Sequence, residues 1–322
     1  MKIGRRPVFG TGKLFCALAC LTLIAATVRA QGQALPSSTP PPTGQLIDVG
    51  GYRVHVNCIG QGNPAVMIAG AAFSFDWSLV QTEVAKFARV CTFDPSGTTW
   101  SDPYPLAGKA LSCDNRVEEL HNLITRTLLD RPYVLVGFST GALWTRLYAA
   151  EYPNNIQGMV IVDHAFLGSS DGPHPKTSLP QSGHTPPVLI SKAPIVTGFE
   201  DDPNFSRLSK QDQELHRWAM SQHPLRPGEP MVVDCTKRID RLTGQQTHPL
   251  GEMPLIIIST PNAGLGYEDL QNKLLSLSRN SKQLVAQDSF HAVLIDRPDI
   301  IIRAIRDVVE QAHQSDTKSR TP

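Results

Sequence analysis

The chain has 322 residues, 41% apolar and 18% charged, with 30 basic against 29 acidic side chains for a formal balance of +1. That is enough to bury a sizeable core, in one large domain or one domain with an insertion, and nothing in it suggests disorder or repeats. No basic run stands out, which argues against nucleic acid as a partner.

In chain order, Lys2, Arg5, Arg6 and Lys13 precede an apolar run, Leu14 to Val28, that ends in Val28-Arg29-Ala30. A charged start, a short apolar stretch and small residues at the end read as a secretory signal peptide over 1–30, cut after Ala30. An uncleaved anchor is the competing reading, but a span needs roughly 20 apolar residues, so no stable membrane span is expected after cleavage. Arg5-Arg6 hints at the twin-arginine route. Loss of the segment's five basic side chains leaves 25 against 29 acidic ones, a balance of −4. Cys16 and Cys20 leave with it, and Cys58, Cys91, Cys113 and Cys235 remain. An even count in an exported protein permits disulfides, with four buried thiols as the alternative. There is no Cys-x-x-Cys or Cys/His cluster, so neither zinc nor any other metal is expected.

Residues 31–44 (QGQALPSSTPPPTG) are too rich in proline and serine to pack a core and read as a linker. Beyond them, Leu46–Val49 and Tyr52–Cys58 flank Gly50-Gly51, a hairpin signal. Ala65–Ala69, Val90–Phe93, Tyr133–Val136, Met159–Val162, Leu255–Ile258 and Gln283–Ala286 follow as buried-strand candidates. Helical spacing covers Val117–Leu129, Ala142–Glu151, Tyr267–Ser278 and Asp299–Gln311. Strands alternating with helices imply a mainly parallel sheet covered on both faces. The interval 164–253 breaks the rhythm: a loop rich in Pro, Ser, Gly and His (Ser169 to Pro187), then amphipathic material such as Leu208–Met220. So long a tract without strands predicts an inserted cap that sets substrate access. The core then spans 45–163 and 254–312, and 313–322 is expected to be a disordered tail.

Gly137-Phe138-Ser139-Thr140-Gly141 carries the chemistry. It matches Gly-x-Ser-x-Gly, with a strand immediately before it and a helix immediately after. In such a turn the serine adopts a strained conformation that exposes its hydroxyl, and side chains at positions 137 and 141 would collide with neighbouring chain. The helix dipole behind it favours negative charge on an attacked carbonyl. Serine needs a base, and histidine serves at neutral pH. His291 follows the last strand candidate in a loop at the carboxyl edge of the sheet. His174, His184, His216, His223 and His248 fall in the expected cap as surface or pocket-lining residues, and His164, directly after a strand, is ambiguous.

From Gln45 to Gln311 the chain resembles the α/β-hydrolase superfamily, in particular serine-dependent, esterase- or lipase-like bacterial members. The resemblance rests on the hairpin LIDVGGYRVHVNCIG, Arg89–Asp94 with Trp100-Ser101-Asp102-Pro103, the Gly-x-Ser-x-Gly turn, Val160–Asp163 and the terminal histidine loop. It implies an eight-stranded, mostly parallel sheet and the chain order serine, acid, histidine. The acid commonly follows the seventh strand, but Ser259-Thr260-Pro261-Asn262-Ala263-Gly264 holds no carboxylate. Asp163, after the sixth strand, is the favoured acid, with Glu268, Asp269 or no acid at all as alternatives. The oxyanion hole is expected from the backbone amides of Thr140 and, in the loop after the third strand (Ala69-Gly70-Ala71-Ala72-Phe73), Ala71. Neighbouring second and fourth strands would place Cys58 opposite Cys91, leaving Cys113 and Cys235 to pair or stay free.

The expected reaction is attack of Ser139 on an acyl carbonyl of a small-molecule substrate, with His291 moving the proton and no cofactor. A serine in that turn argues against epoxide-hydrolase or haloalkane-dehalogenase chemistry, where the superfamily places an aspartate. A non-catalytic binding protein on the same fold and an acyltransferase are the alternatives.

Overall fold

The computed structural model describes residues 39–70, 73–105, 111–127, 132–164, 199–222, 229–244, 246–261 and 267–319. The expected signal peptide, most of the linker, Ala71 and the Ser169–Pro187 loop lie outside them. Eight strands make one sheet: β1 (Gln45–Asp48), β2 (Arg53–Ile59), β3 (Val66–Gly70), β4 (Val90–Asp94), β5 (Tyr133–Phe138), β6 (Ile156–Val162), β7 (Leu255–Ser259) and β8 (Ser281–Val285). Each falls on a run expected from the apolar pattern. Their spatial order is β1-β2-β4-β3-β5-β6-β7-β8. Only the β1–β2 and β2–β4 pairs are antiparallel. This is the α/β-hydrolase fold, with its mostly parallel sheet.

The period-2 alternation of the strands sorts their side chains onto two cores. Met67, Leu135, Met159, Ile161, Leu255 and Ile257 face one side. Ile68, Val134, Val136, Val160, Val162 and Ile258 face the other. The first side is covered by α2 (Cys113–Thr127), α3 (Gly141–Glu151), α5 (Glu229–Thr243) and α6 (Tyr267–Leu275). The second is covered by α1 (Ser78–Val84), α7 (Val293–Asp296) and α8 (Pro298–Ser319). On α8, Ile301, Ala304, Ile305, Val308 and Val309 recur three and four apart and are all buried, the stripe a helix needs to lie on a sheet. Each fully buried aliphatic side chain contributes about 1.5–3 kcal/mol. The central strands, apolar on both faces, are therefore held from both sides.

Three expectations need correction. Helix α8 continues through Ser319, into the expected disordered tail, because nothing between Gln311 and Ser319 is a glycine or proline that would stop it. The end of the expected linker is docked: the Trp100 indole donates to the Pro40 carbonyl at 2.7 Å and the Gly44 amide to His55 Nε2 at 3.0 Å. Proline-rich chain cannot build a core, but its carbonyls can still bond to one. Finally, α1, α5 and the four-residue α7 lie outside the expected helices. Seven-residue α1 is too short to show a period, whereas Met231, Val232, Cys235, Ile239 and Leu242 do carry one for α5.

Within 164–253 the described residues form no strand. They form three-ten turns at Phe199–Asp201 and Phe205–Arg207, then α4 (Lys210–Gln222) and α5. Cys235 and Ile239 of α5 pack in the same apolar core as α2 and α3, so α5 is seated on the helices that cover the sheet. Among the described residues no helix is long and apolar enough to cross a membrane.

Both cysteine pairs are disulfides. Cys58 and Cys91 are directly opposite in the β2–β4 ladder, with Cα atoms 4.1 Å apart, as the resemblance implies. Cys113 at the start of α2 is bonded to Cys235 of α5, with Cα atoms 5.0 Å apart. The second bond spans 122 residues and the first 33. In the chain-entropy account, removing the longer crosslink costs about 1 kcal/mol more than removing the shorter. The Cys113→Ala/Cys235→Ala double variant is expected to unfold at lower urea than Cys58→Ala/Cys91→Ala; the reverse order would count against loop length governing the two bonds' contributions.

Candidate active site

Strands β5, β6 and β7 end side by side, and their next residues share one edge. Phe138 pairs with Val162, and Val162 with Ile258. Ser139 and Asp163 are thus the first residues past two adjacent strands. Their amides still bond into the sheet, Ser139 to the Val162 carbonyl at 3.1 Å and Asp163 to the Ile258 carbonyl at 2.8 Å. Both backbones then turn into the left-handed region, with φ of 52° and 40° respectively. For non-glycine residues this costs on the order of 1–3 kcal/mol each, and such strain collects at functional sites.

The glycines around Ser139 have the steric reason expected of them. A Cβ on Gly137 would run into Thr145 Oγ1 and Ala142 Cα, and one on Gly141 into the Ala69 carbonyl. Helix α3 and the end of β3 approach the turn too closely for any side chain. Thr140 is the N-cap of α3, φ −61° and ψ −26°, so its amide opens the helix behind Ser139.

His291 arrives in the loop between β8 and α7. Its Nδ1 lies 2.7 Å from Asp163 Oδ2. The other carboxylate oxygen accepts a hydrogen bond from Thr260 Oγ1 at 2.9 Å. Thr260 is the first residue past β7, where the superfamily commonly has its acid; here a hydroxyl stands there and orients the carboxylate of the neighbouring strand. Of the two alternatives, Asp269 is exposed on α6 and Glu268 belongs to the same helix. The side chain of Glu268, like Ala71, lies outside the described residues.

Two further contacts hold the imidazole. Its ring stacks on Phe138, centroids 4.9 Å apart and planes 28° apart. Its loop is tied to Asp296 at the end of α7, whose Oδ2 accepts from Ser289 Oγ at 3.0 Å and the Phe290 amide at 3.3 Å. Asn204 donates to Asp296 Oδ1 at 2.9 Å, and Arg207 to the Ile295 and Asp296 carbonyls at 2.7 and 2.8 Å. The insertion therefore braces the histidine loop. The His291 side chain is 36% exposed and that of Asp163 only 7%, so the imidazole faces outward from a buried carboxylate.

His164, ambiguous in the sequence, sits behind the serine. Its Nδ1 is 3.1 Å from the Ser139 carbonyl and its Nε2 is 3.4 Å from Arg146 Nη1. A carbonyl only accepts and a guanidinium only donates, so the proton is on Nδ1 and the ring is neutral. Burial, with the Arg146 charge adding to it, pushes the His164 pKa down to about 3. Burial also lowers Arg146, to about 10. His216 is not the surface or pocket residue expected: it is 1% exposed, with Nδ1 2.7 Å from the buried carboxylate of Asp76. Burial pushes the Asp76 carboxyl above its usual range, opposed by His216 and by the Phe73 amide. Sequence reasoning missed Thr260, Arg146 and Asp76; each acts through a partner distant in the chain and carries no motif. Among the described residues no group of three or more His, Cys, Asp or Glu is placed to hold a metal ion.

A family model described as alpha/beta hydrolase fold matches residues 66–190. The chain is similar to the uncharacterized protein YqjL of Bacillus subtilis (strain 168), 25% identical over 238 residues that cover 72% of this chain and 77% of that protein. Among solved structures it is similar to a thermophilic esterase from Thermogutta terrifontis, with a TM-score of 0.60 and 18% identity over 84% of this chain and 100% of that one. A laboratory-evolved variant of potato epoxide hydrolase gives a TM-score of 0.65 and 15% identity, again over 84% and 100%. Identities this low carry the fold, not the reaction.

The His164 environment has a measurable consequence. Its folded pKa of about 3 lies below the ordinary 6.5, so as pH falls from 6.5 toward 3 the unfolded chain takes up a proton that the folded one refuses, and stability is lost. His164→Asn keeps an N–H donor but does not titrate. It is expected to flatten the dependence of unfolding free energy on pH between about 6 and 4 by close to one proton; an unchanged slope would show that position 164 is not a buried neutral imidazole.

Proposed function

The chain has the α/β-hydrolase fold, matched by a family model of that description over residues 66–190, and from that premise we propose that it is a serine hydrolase that cleaves an acyl bond, most simply a carboxylic ester. The observation that carries this reading is the 2.7 Å contact between His291 Nδ1 and Asp163 Oδ2, made at the same strand edge as the strained Ser139. With Nδ1–H donated to Asp163, His291 Nε2 is the free base. Ser139 Oγ attacks the acyl carbon, its proton passes to His291 Nε2, and the carbonyl π pair moves onto oxygen. The tetrahedral oxyanion is met by the amides of Thr140 and Ala71. Collapse expels the alcohol, which takes the proton from His291, and water repeats the sequence to release the acid. Asp163 holds the tautomer and stabilises the imidazolium without taking the proton.

A serine at the turn supports ester over epoxide chemistry, since the superfamily's epoxide hydrolases carry an aspartate nucleophile at that position. Fluorophosphonate is expected to label the protein at Ser139, and Ser139→Ala to abolish both labelling and hydrolysis of p-nitrophenyl esters. Asp163→Asn is expected to lower kcat by roughly a thousandfold or more with little change in KM, whereas Glu268→Gln and Asp269→Asn leave it unaltered. Equal labelling of Ser139→Ala would overturn the assignment, and full activity of Asp163→Asn would remove Asp163 from it.

The proposal extends to the compartment. Two disulfides persist only where thiols are oxidised, and residues 1–30 have the pattern of a leader. Protein recovered from the exported fraction is expected to begin at Gln31 by N-terminal sequencing; recovery only from the reducing cytosol, with the first thirty residues intact, would contradict export.

A further inference from the structure

The Ser139 carbonyl accepts two hydrogen bonds, one from the Ala142 amide at 3.1 Å and one from His164 Nδ1 at 3.1 Å. That carbonyl and the Thr140 N–H are the two ends of one trans peptide, so they point to opposite sides within a single plane. Whatever aims the carbonyl therefore aims the amide. Thr140 is the N-cap of α3, and an N-cap amide has no acceptor within its own helix. It is the group that the serine-hydrolase reading turns toward the oxyanion.

The Ala142 bond is made by the first turn of the helix itself. The His164 bond joins residues 25 apart in the chain and has a second residue behind it. Arg146 Nη1 lies 3.4 Å from His164 Nε2, and Arg146 is one helical turn beyond Ala142 on the same face of α3. A neutral imidazole can hold its proton on either nitrogen. With the proton on Nε2, a bare Nδ1 would face the lone pairs of the Ser139 carbonyl and that bond would be lost. The guanidinium, which only donates, forbids this tautomer. His164 is 1% exposed, so water is a poor substitute for either partner. His164 also directly follows Asp163, the residue that faces His291. Two consecutive residues past β6 thus hold the base and the peptide of the nucleophile.

Arg146 is a costly residue to keep there. Burial works against its charge, which the Asp240 carboxylate of α5 favours. Its buried Nε has no hydrogen-bond partner among the described residues. An apolar side chain at 146 would carry neither cost. What the charge supplies is a direction. Guanidinium donates to imidazole, imidazole donates to carbonyl, and the same peptide presents its N–H on the far side, so each link polarises the next in one sense.

We propose that Arg146 and His164 are positioning residues for the oxyanion donor: through the Ser139 carbonyl they aim the Thr140 amide and strengthen it. The inference rests on the serine-hydrolase reading. Both side chains act through the peptide, without touching the substrate. Oxyanion donors work only when aimed at the place where charge develops, and loss of one costs on the order of a hundredfold to a thousandfold in kcat. A misaimed or weakened donor costs part of that.

The test uses the purified protein, p-nitrophenyl acetate for turnover, and a trifluoromethyl ketone whose serine hemiketal bears an oxyanion. His164→Leu removes both hydrogen bonds. It is expected to lower kcat about tenfold or more and to weaken the ketone by the same factor, with KM within about twofold. His164→Asn returns an N–H to the place of Nδ1 and is expected to recover most of both losses. Arg146→Met keeps the length and removes the charge; a paired loss of about threefold or more is expected, with Arg146→Lys recovering it. Should His164→Leu fail to fold, the two Arg146 variants decide. Folded His164→Leu or Arg146→Met protein with wild-type kcat and ketone affinity, or with a loss confined to KM, overturns the inference, as does His164→Asn no better than His164→Leu. Wild-type protein that fluorophosphonate does not label defeats the serine reading and this inference together, whereas labelled wild type with an unimpaired His164→Leu defeats this one alone.

Discussion

A serine with φ of 52°, held between two glycines whose places admit no Cβ, is the constraint on which the rest of the site depends. The conformation is strained, so it persists only if the surroundings over-determine it. They do so from three directions. The sheet takes the Ser139 amide, α3 begins from the Ser139 carbonyl through the Ala142 amide at 3.1 Å, and His164 donates to that same carbonyl. Removing the glycine gaps would push α3 and β3 apart, and with them the sheet edge on which Asp163 and Thr260 stand.

The site is built from strand ends because parallel strands in register deliver consecutive residues to one line. Ser139, Asp163 and Thr260 follow three neighbouring strands, and each passes a hydrogen bond or a backbone constraint to the next. That geometry explains how an acid after β6 serves where none follows β7. A hydroxyl at the seventh position, 2.9 Å from Asp163 Oδ1, leaves the other oxygen to face the imidazole. The chemistry needs one carboxylate near one ring nitrogen, and either strand is close enough to provide it.

The insertion is bound to the core at points beside the candidate site. Asn204 and Arg207 hold the end of α7, which holds the loop of His291. Through His216 and Asp76, α4 reaches the loop after β3. Meanwhile α5 packs on α2 and α3, fastened to α2 by Cys113–Cys235. A segment that looks like an appendage along the chain is in space a set of braces on the loop of His291 and on the turn that begins at Phe73.

What the sequence by itself determined is what short-range regularity encodes. Period-2 and continuous apolar runs located all eight strands, helical spacing located the longer helices, and two glycines around a serine marked the turn, because each depends on residues within about a dozen positions of one another. The tertiary structure alone decided which acid meets His291, that Thr260 orients that acid from the place after β7, that His164 is a neutral buried clamp, that His216 is buried against Asp76, and that Cys113 joins Cys235. Each of these joins groups from separate strands, helices or loops, from 25 residues apart for Ser139–His164 to 140 for Asp76–His216. No periodicity links such positions; only the sheet order and the path of the insertion bring them within bonding distance.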